Sequence, residues 1–129
     1  MNFQGGGMAS KPLRIGVIGL GFGSKVHIPG LLAEGMEVVA VCARHKENAD
    51  EVASKFGIPN VFTNYEDLLR LDGLDAVSIA TPRFLHYPMT MAAITAGKHV
   101  LCEKPLAMNV LEAREMLDSG VSAGLTTMV

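Results

Sequence analysis

Short apolar runs recur along the chain, and between them the apolar positions change to a spacing of three and four residues. Ile15-Gly16-Val17-Ile18 is continuous, mostly β-branched and closed by glycines, the pattern of a buried strand followed by a tight turn. Glu37 to Ala43, with Val38-Val39-Ala40-Val41 at its centre, reads as a second strand, and Val61-Phe62 as a short third. Asp75 to Thr81, His99 to Cys102 and Leu125 to Val129 complete the strands. Helical spacing fills the intervals. Lys46 to Phe56 sets Ala49, Val52, Ala53 and Phe56 on one face, and Gly57 followed by Pro59 stops it. A helix over Ser24 to Glu34 must be kinked or delayed at Pro29-Gly30, because proline has no N–H for an interior turn. Thr63-Asn64-Tyr65-Glu66 matches a capping box and predicts a short helix from Tyr65 to Leu71. Met89 to Ala96, ended by Gly97, and Val110 to Ser119 are the last two helices.

Strands that alternate with helices over short connections, without internal repeats, predict an α/β fold: a doubly wound parallel sheet with right-handed crossovers. Composition agrees, since 49% of residues are apolar and only 5% aromatic, so the core is aliphatic, as in sheets buried on both faces. At 129 residues the chain suits one domain. Residues 1–10, with three consecutive glycines and no periodicity, read as a disordered leader of the kind an expression tag leaves, so the domain is placed over residues 11–129.

A net charge of −2 gives no reason to expect nucleic acid as a partner. No apolar stretch approaches the roughly 20 residues that span a bilayer, and no signal-peptide pattern opens the chain, so a cytoplasmic protein without a membrane partner is expected. Cys42 and Cys102 sit in predicted strands with neither zinc spacing nor a disulfide framework, and are read as reduced core thiols. No metal site is expected.

Chemistry enters at the turn after the first strand, Gly19-Leu20-Gly21-Phe22-Gly23-Ser24. Gly19 allows a tight exit from the strand, and Gly21 lets backbone approach a pyrophosphate at the positive end of the next helix. Ser24 replaces the usual third glycine or alanine but is small enough for close helix–strand packing. A loop that holds S-adenosylmethionine has similar glycines. It normally carries acidic residues near the first glycine and at the end of the second strand, where this chain has Ile18 and Ala43-Arg44. Arg44 lies 23 residues beyond Gly21, beside His45 and Lys46, with no carboxylate before Glu47. An arginine there can accept the 2′-phosphate of NADP, whereas an acidic residue would hold the ribose hydroxyl of NAD; NADP is therefore the expected cofactor, with NAD as the alternative. Cys102-Glu103-Lys104-Pro105 places a charged lysine at the carboxyl end of a later strand, where open α/β sheets bind ligands.

In order, the glycine turn, Val77-Ser78-Ile79-Ala80-Thr81-Pro82 followed by His86, and Ala96-Gly97-Lys98-His99-Val100-Leu101-Cys102-Glu103-Lys104-Pro105 resemble the Gfo/Idh/MocA family of NAD(P)-dependent oxidoreductases. The resemblance runs from about Leu13 to the end and implies a Rossmann domain. It implies that Lys104 approaches the substrate hydroxyl and the nicotinamide, that Glu103 flanks the cofactor or anchors the lysine, and that Pro105, often after a cis bond, fixes the turn. Ala80, Thr81 and Pro82 would pass beside the nicotinamide ribose. His86 would cap or line the same crevice, or else be a helix-start residue satisfied by backbone. Arg83-Phe84 departs from the asparagine common in relatives.

Resembling enzymes continue into a second domain that supplies the substrate pocket and a general acid or base. The 129 residues are expected to lack that substrate domain. The chain is therefore expected to bind a nicotinamide dinucleotide without turnover by itself, as the amino-terminal part of a sugar or cyclitol dehydrogenase, with polyol or sugar a partner only of the longer protein. The alternative is a non-catalytic binding or assembly module. An uncovered sheet edge would favour a homo-oligomer.

Overall fold

The computed structural model describes residues 11–129, and the leader expected over residues 1–10 lies outside the described residues. Six parallel strands form one sheet in the order β3-β2-β1-β4-β5-β6: β1 Arg14–Ile18, β2 Glu37–Cys42, β3 Asn60–Phe62, β4 Ala76–Ile79, β5 His99–Cys102 and β6 Thr127–Met128. The helices are α1 Ile28–Ala33, α2 Lys46–Phe56, α3 Tyr65–Leu69, α4 His86–Thr95 and α5 Val110–Ser122. The order reverses between β1 and β4, which opens a crevice at the carboxyl ends of those strands, where doubly wound sheets take ligands.

The continuous apolar runs of β1, β2 and β4 reflect burial on both faces. On one face Val17, Val38 and Val41 pack with Ile28, Ala49 and Ala53 under α1 and α2. On the other, Ile18, Val77 and Ile79 pack with Leu68, Leu69, Met89 and Ala93 of α3 and α4. Val17, Val41 and Ile79 have no exposed surface, and each such side chain contributes about 1.5–3 kcal/mol of transfer free energy. Cys42 and Cys102 are free and buried, and burial pushes both thiols up to about 11.

Four local readings shift. The helix after the glycine turn begins at residue 21, ahead of Ser24, and passes through a π-helical turn over Gly23–His27; α1 proper is delayed to Ile28, as expected from Pro29-Gly30, with Pro29 in its first turn. Asn64, not Thr63, caps α3: its side-chain oxygen accepts the Glu66 N–H at 2.8 Å from an extended backbone, so the cap falls one residue later than the capping box places it. α4 begins at His86 rather than Met89, because Pro88 falls in a first turn whose N–H groups have no helical acceptor. β6 is shorter than Leu125 to Val129, since the Leu125 N–H donates to Gly120 O at 2.9 Å and closes α5 instead of joining the ladder.

Candidate functional site

Backbone bonds tie the loops at the carboxyl edge of the sheet to one another. Gly19 N–H donates to Cys42 O at 3.0 Å, Ala80 N–H to Ile18 O at 2.8 Å, and Glu103 N–H to Ile79 O at 2.9 Å. The exits of β1, β2, β4 and β5 are thereby fixed relative to each other before any ligand arrives.

Gly19 has a φ of +92°, and a Cβ on it would stand 2.7 Å from Ala80 C and 2.8 Å from Thr81 N. Only glycine lets the first turn lie against the loop after β4 in this way. Gly21, by contrast, is exposed, and nothing lies within 4 Å of where its Cβ would be. It opens the helical stretch 21–33, and Ser24 Oγ donates back to Gly21 O at 3.2 Å.

A cavity of about 810 Å³ runs along this edge. Of the residues singled out in the sequence, Gly19, Gly21, Ser24, Arg44, Ala80, Thr81 and Pro82 line it. Phe22, Gly23, His86, Glu103 and Lys104 do not. Phe22 is half exposed and stands edge-on to the His27 ring, while Gly23 is buried against Val17. His45, Asn48, Thr63, Tyr65, Phe84 and Met89 also line the cavity but were not picked out as binding residues. His45 and Phe84 adjoin or lie near segments that were; Thr63 follows β3 and Tyr65 opens α3, and only the strand order brings them in.

Lys104 is exposed on the loop after β5, and the Lys104–Pro105 bond is cis. Glu103 does not turn toward the cavity. Its Oε2 accepts from His27 Nε2 at 2.7 Å, and its Oε1 accepts the Lys104 N–H at 3.3 Å. The His27 bond holds the Glu103 carboxyl below the ordinary carboxylate value, against a partial loss of solvation. Because a carboxylate only accepts, Nε2 is the donor, and Nδ1 of a neutral ring takes the proton of the buried Ser78 hydroxyl. His86, 1% exposed, places Nδ1 at 2.7 Å from Pro105 O and Nε2 at 2.8 Å from Thr81 O. Both contacts are to acceptors, so both bonds form together only when both nitrogens carry protons. The ring stands between two backbone carbonyls and bridges the two loops that follow β4 and β5.

These features fit a dinucleotide: a Cβ-free turn at the switch point, a cavity of the volume small-molecule sites have, and a guanidinium on its rim. Comparison with known proteins agrees. The model of an oxidoreductase family with an NAD-binding Rossmann fold, Gfo/Idh/MocA, matches residues 13–129. The chain is 40% identical over 117 residues to a D-xylose 1-dehydrogenase (NADP(+)) of Haloferax volcanii, covering 90% of this chain and 36% of that protein. It is 39% identical to D-glucoside 3-dehydrogenase of Escherichia coli, over 91% of this chain and 34% of that protein. Among solved structures, a 3-ketoreductase from Actinomadura kijaniata in complex with TDP-benzene and NADP superposes with a TM-score of 0.84 at 35% identity, covering 89% of this chain and 37% of that one. The chain thus spans about a third of the length of these relatives.

Proposed function

We propose, on the premise that this chain belongs to the Gfo/Idh/MocA oxidoreductase family, that it is the cofactor-holding part of a dehydrogenase or reductase acting on a hydroxyl or carbonyl of a sugar or cyclitol. The observation that carries this is the close seat of Gly19 on Ala80 and Thr81, which shapes a cavity running from the switch point to Arg44. On this reading the turn receives the pyrophosphate through Gly19, Gly21 and Ser24, with Phe22 and Gly23 holding its shape from outside the cavity, and Ala80, Thr81 and Pro82 lie beside the nicotinamide ribose. The bound nicotinamide supplies or accepts a hydride. Lys104 contributes an ammonium that orients the substrate oxygen and stabilises negative charge developing on it. A single lysine leaves the proton acceptor for alcohol oxidation to be supplied elsewhere, so the 129 residues alone bind cofactor without turnover.

The cofactor is NADP on this reading. Among the described residues no carboxylate pairs with Arg44, whereas neighbouring Lys46 is engaged by Asp50 at 2.8 Å. The guanidinium is therefore free to take a phosphate bidentately. Calorimetric titration with NADPH and NADH tests this. NADPH should bind more tightly, and Arg44→Ala should weaken it about tenfold to a hundredfold, as loss of a charged hydrogen bond does, while leaving NADH nearly unchanged. Equal affinity for both would remove the NADP assignment. No binding of either would leave only the assembly-module reading.

A cytoplasmic setting, without nucleic acid or membrane as partner, accompanies the proposal; among the described residues no helix is long and apolar enough to cross a membrane. Self-association has as its support the apolar side chains exposed on α5 and the last strand: Val110, Leu111, Leu117, Val121 and Met128.

A further inference from the structure

We infer that His27 and His86 are the positioning residues of Lys104: two buried rings from different helical segments hold the residues on either side of that lysine and so set where its ammonium stands. The inference rests on the reading of Lys104 as the residue that meets the substrate. Lys104 belongs to neither strand nor helix and is exposed, so the course of its own backbone must place its side chain. That backbone is held from both directions. On the amino side, the Glu103 carboxylate takes the His27 proton on one oxygen and the Lys104 N–H on the other. On the carboxyl side, the carbonyl of Pro105 faces His86 Nδ1 at 2.7 Å.

Packing alone does not call for these rings. Phenylalanine or leucine would fill the same volume without the desolvation that burying an imidazole entails. What imidazole adds is an N–H at a fixed place, on a ring whose other nitrogen is itself held: by Ser78 in the case of His27, and by the Thr81 carbonyl in the case of His86. Such outer partners commonly decide whether a reactive group stands within useful distance. Both anchors also reach the proposed cofactor seat. His27 ends the π-helical turn that begins at Gly23, and Thr81 lines the cavity. The residues that seat the dinucleotide and those that aim the lysine therefore share the same two supports.

The test reads the Lys104 amide directly, in the chain as it is, by ¹H–¹⁵N spectra and hydrogen exchange. His27→Phe and His86→Phe keep a ring but remove the donor; His27→Gln and His86→Gln return a donor without the ring. Each Phe variant should move the Lys104 signal and speed its exchange about tenfold, and each Gln variant should recover most of that change. The amides of Ala49 and Ala53, in α2 against β2 and β3, should stay in place as the control for folding. Folded Phe variants with an unchanged Lys104 amide would overturn the inference, and so would Gln variants that fail to recover it, since shape rather than the donor would then be what matters. Should His27→Phe not fold, Glu103→Leu removes the acceptor from the partly exposed side of the same link and must give the same response. Titrating NADPH into the same samples separates the two readings: a wild-type chain that binds none, yet shows this pattern at Lys104, loses its proposed function and keeps its positioning residues.

Discussion

The glycine turn after β1 and the Glu103-Lys104-Pro105 segment after β5 stand at the same edge of the sheet, but they acquire their shapes differently. At the turn, shape comes from atoms that are absent: Gly19 lies against Ala80 and Thr81 because it has no Cβ, and Gly21 faces open space. At the lysine, shape comes from buried polar side chains, with His27, Ser78 and His86 supplying the contacts. A binding surface for a large ligand can be cut by omission, since the ligand fills what is left. A lone ammonium has nothing to fill, and its place has to be imposed by its neighbours.

The largest blow to this contrast would come at Gly19. Gly19→Ala forces a side chain into a positive-φ conformation, which costs about 1–3 kcal/mol by itself, and drives its Cβ into backbone across the crevice. Urea unfolding should show a loss at least that large, together with loss of dinucleotide binding. A variant as stable as wild type would mean that the close approach of the two loops is incidental. Gly21→Ala sharpens the distinction within the same turn. Its new methyl meets no protein atom, so stability should stay within about 0.5 kcal/mol, while cofactor affinity falls about tenfold or more if backbone and pyrophosphate meet there. Equal affinity would move the pyrophosphate elsewhere.

The smallest effect is expected at the lysine end and concerns pH. The Glu103 carboxyl is held below its ordinary value of 4.5 by His27, so folding favours the carboxylate. Its contribution is fully present above that value and is lost as pH falls through the lowered one. Glu103→Gln should therefore flatten the decline of stability below about pH 4.5 in unfolding curves taken at successive pH values. An unchanged slope would mean that the His27 bond carries no net preference for the charged form.

Six strands and the glycine turn were legible because their signals are local: a β-branched run, a helical spacing, a glycine where a helix stops, as Gly57 does at the end of α2. The bond between His27 and Glu103 joins residues 76 apart, and the partner of Nδ1 lies 51 residues from the ring, so no window of sequence holds the set. His27 stands between Val26 and Ile28 without a motif of its own, and its position matters only once β1, β4 and β5 lie side by side. The same holds for Tyr65, brought to the cavity by the placing of β3 at the far side of β2. At finer scale, local competition decided what pattern could not: Asn64 and Thr63 are comparable caps, and the extended backbone at Asn64 settled which one serves.

The π-helical turn over Gly23–His27 has a bearing on all of this through helical phase. Its closing bond runs from Ile28 N–H to Gly23 O, one residue wider than an α-helical turn. A helix wound with one residue fewer before that point would carry the imidazole about 100° around the axis, away from Ser78 and Glu103, while leaving the glycine turn untouched. The register of a single helix start thus links the geometry of two loops that lie 80 residues apart in the chain, Gly23 and Glu103.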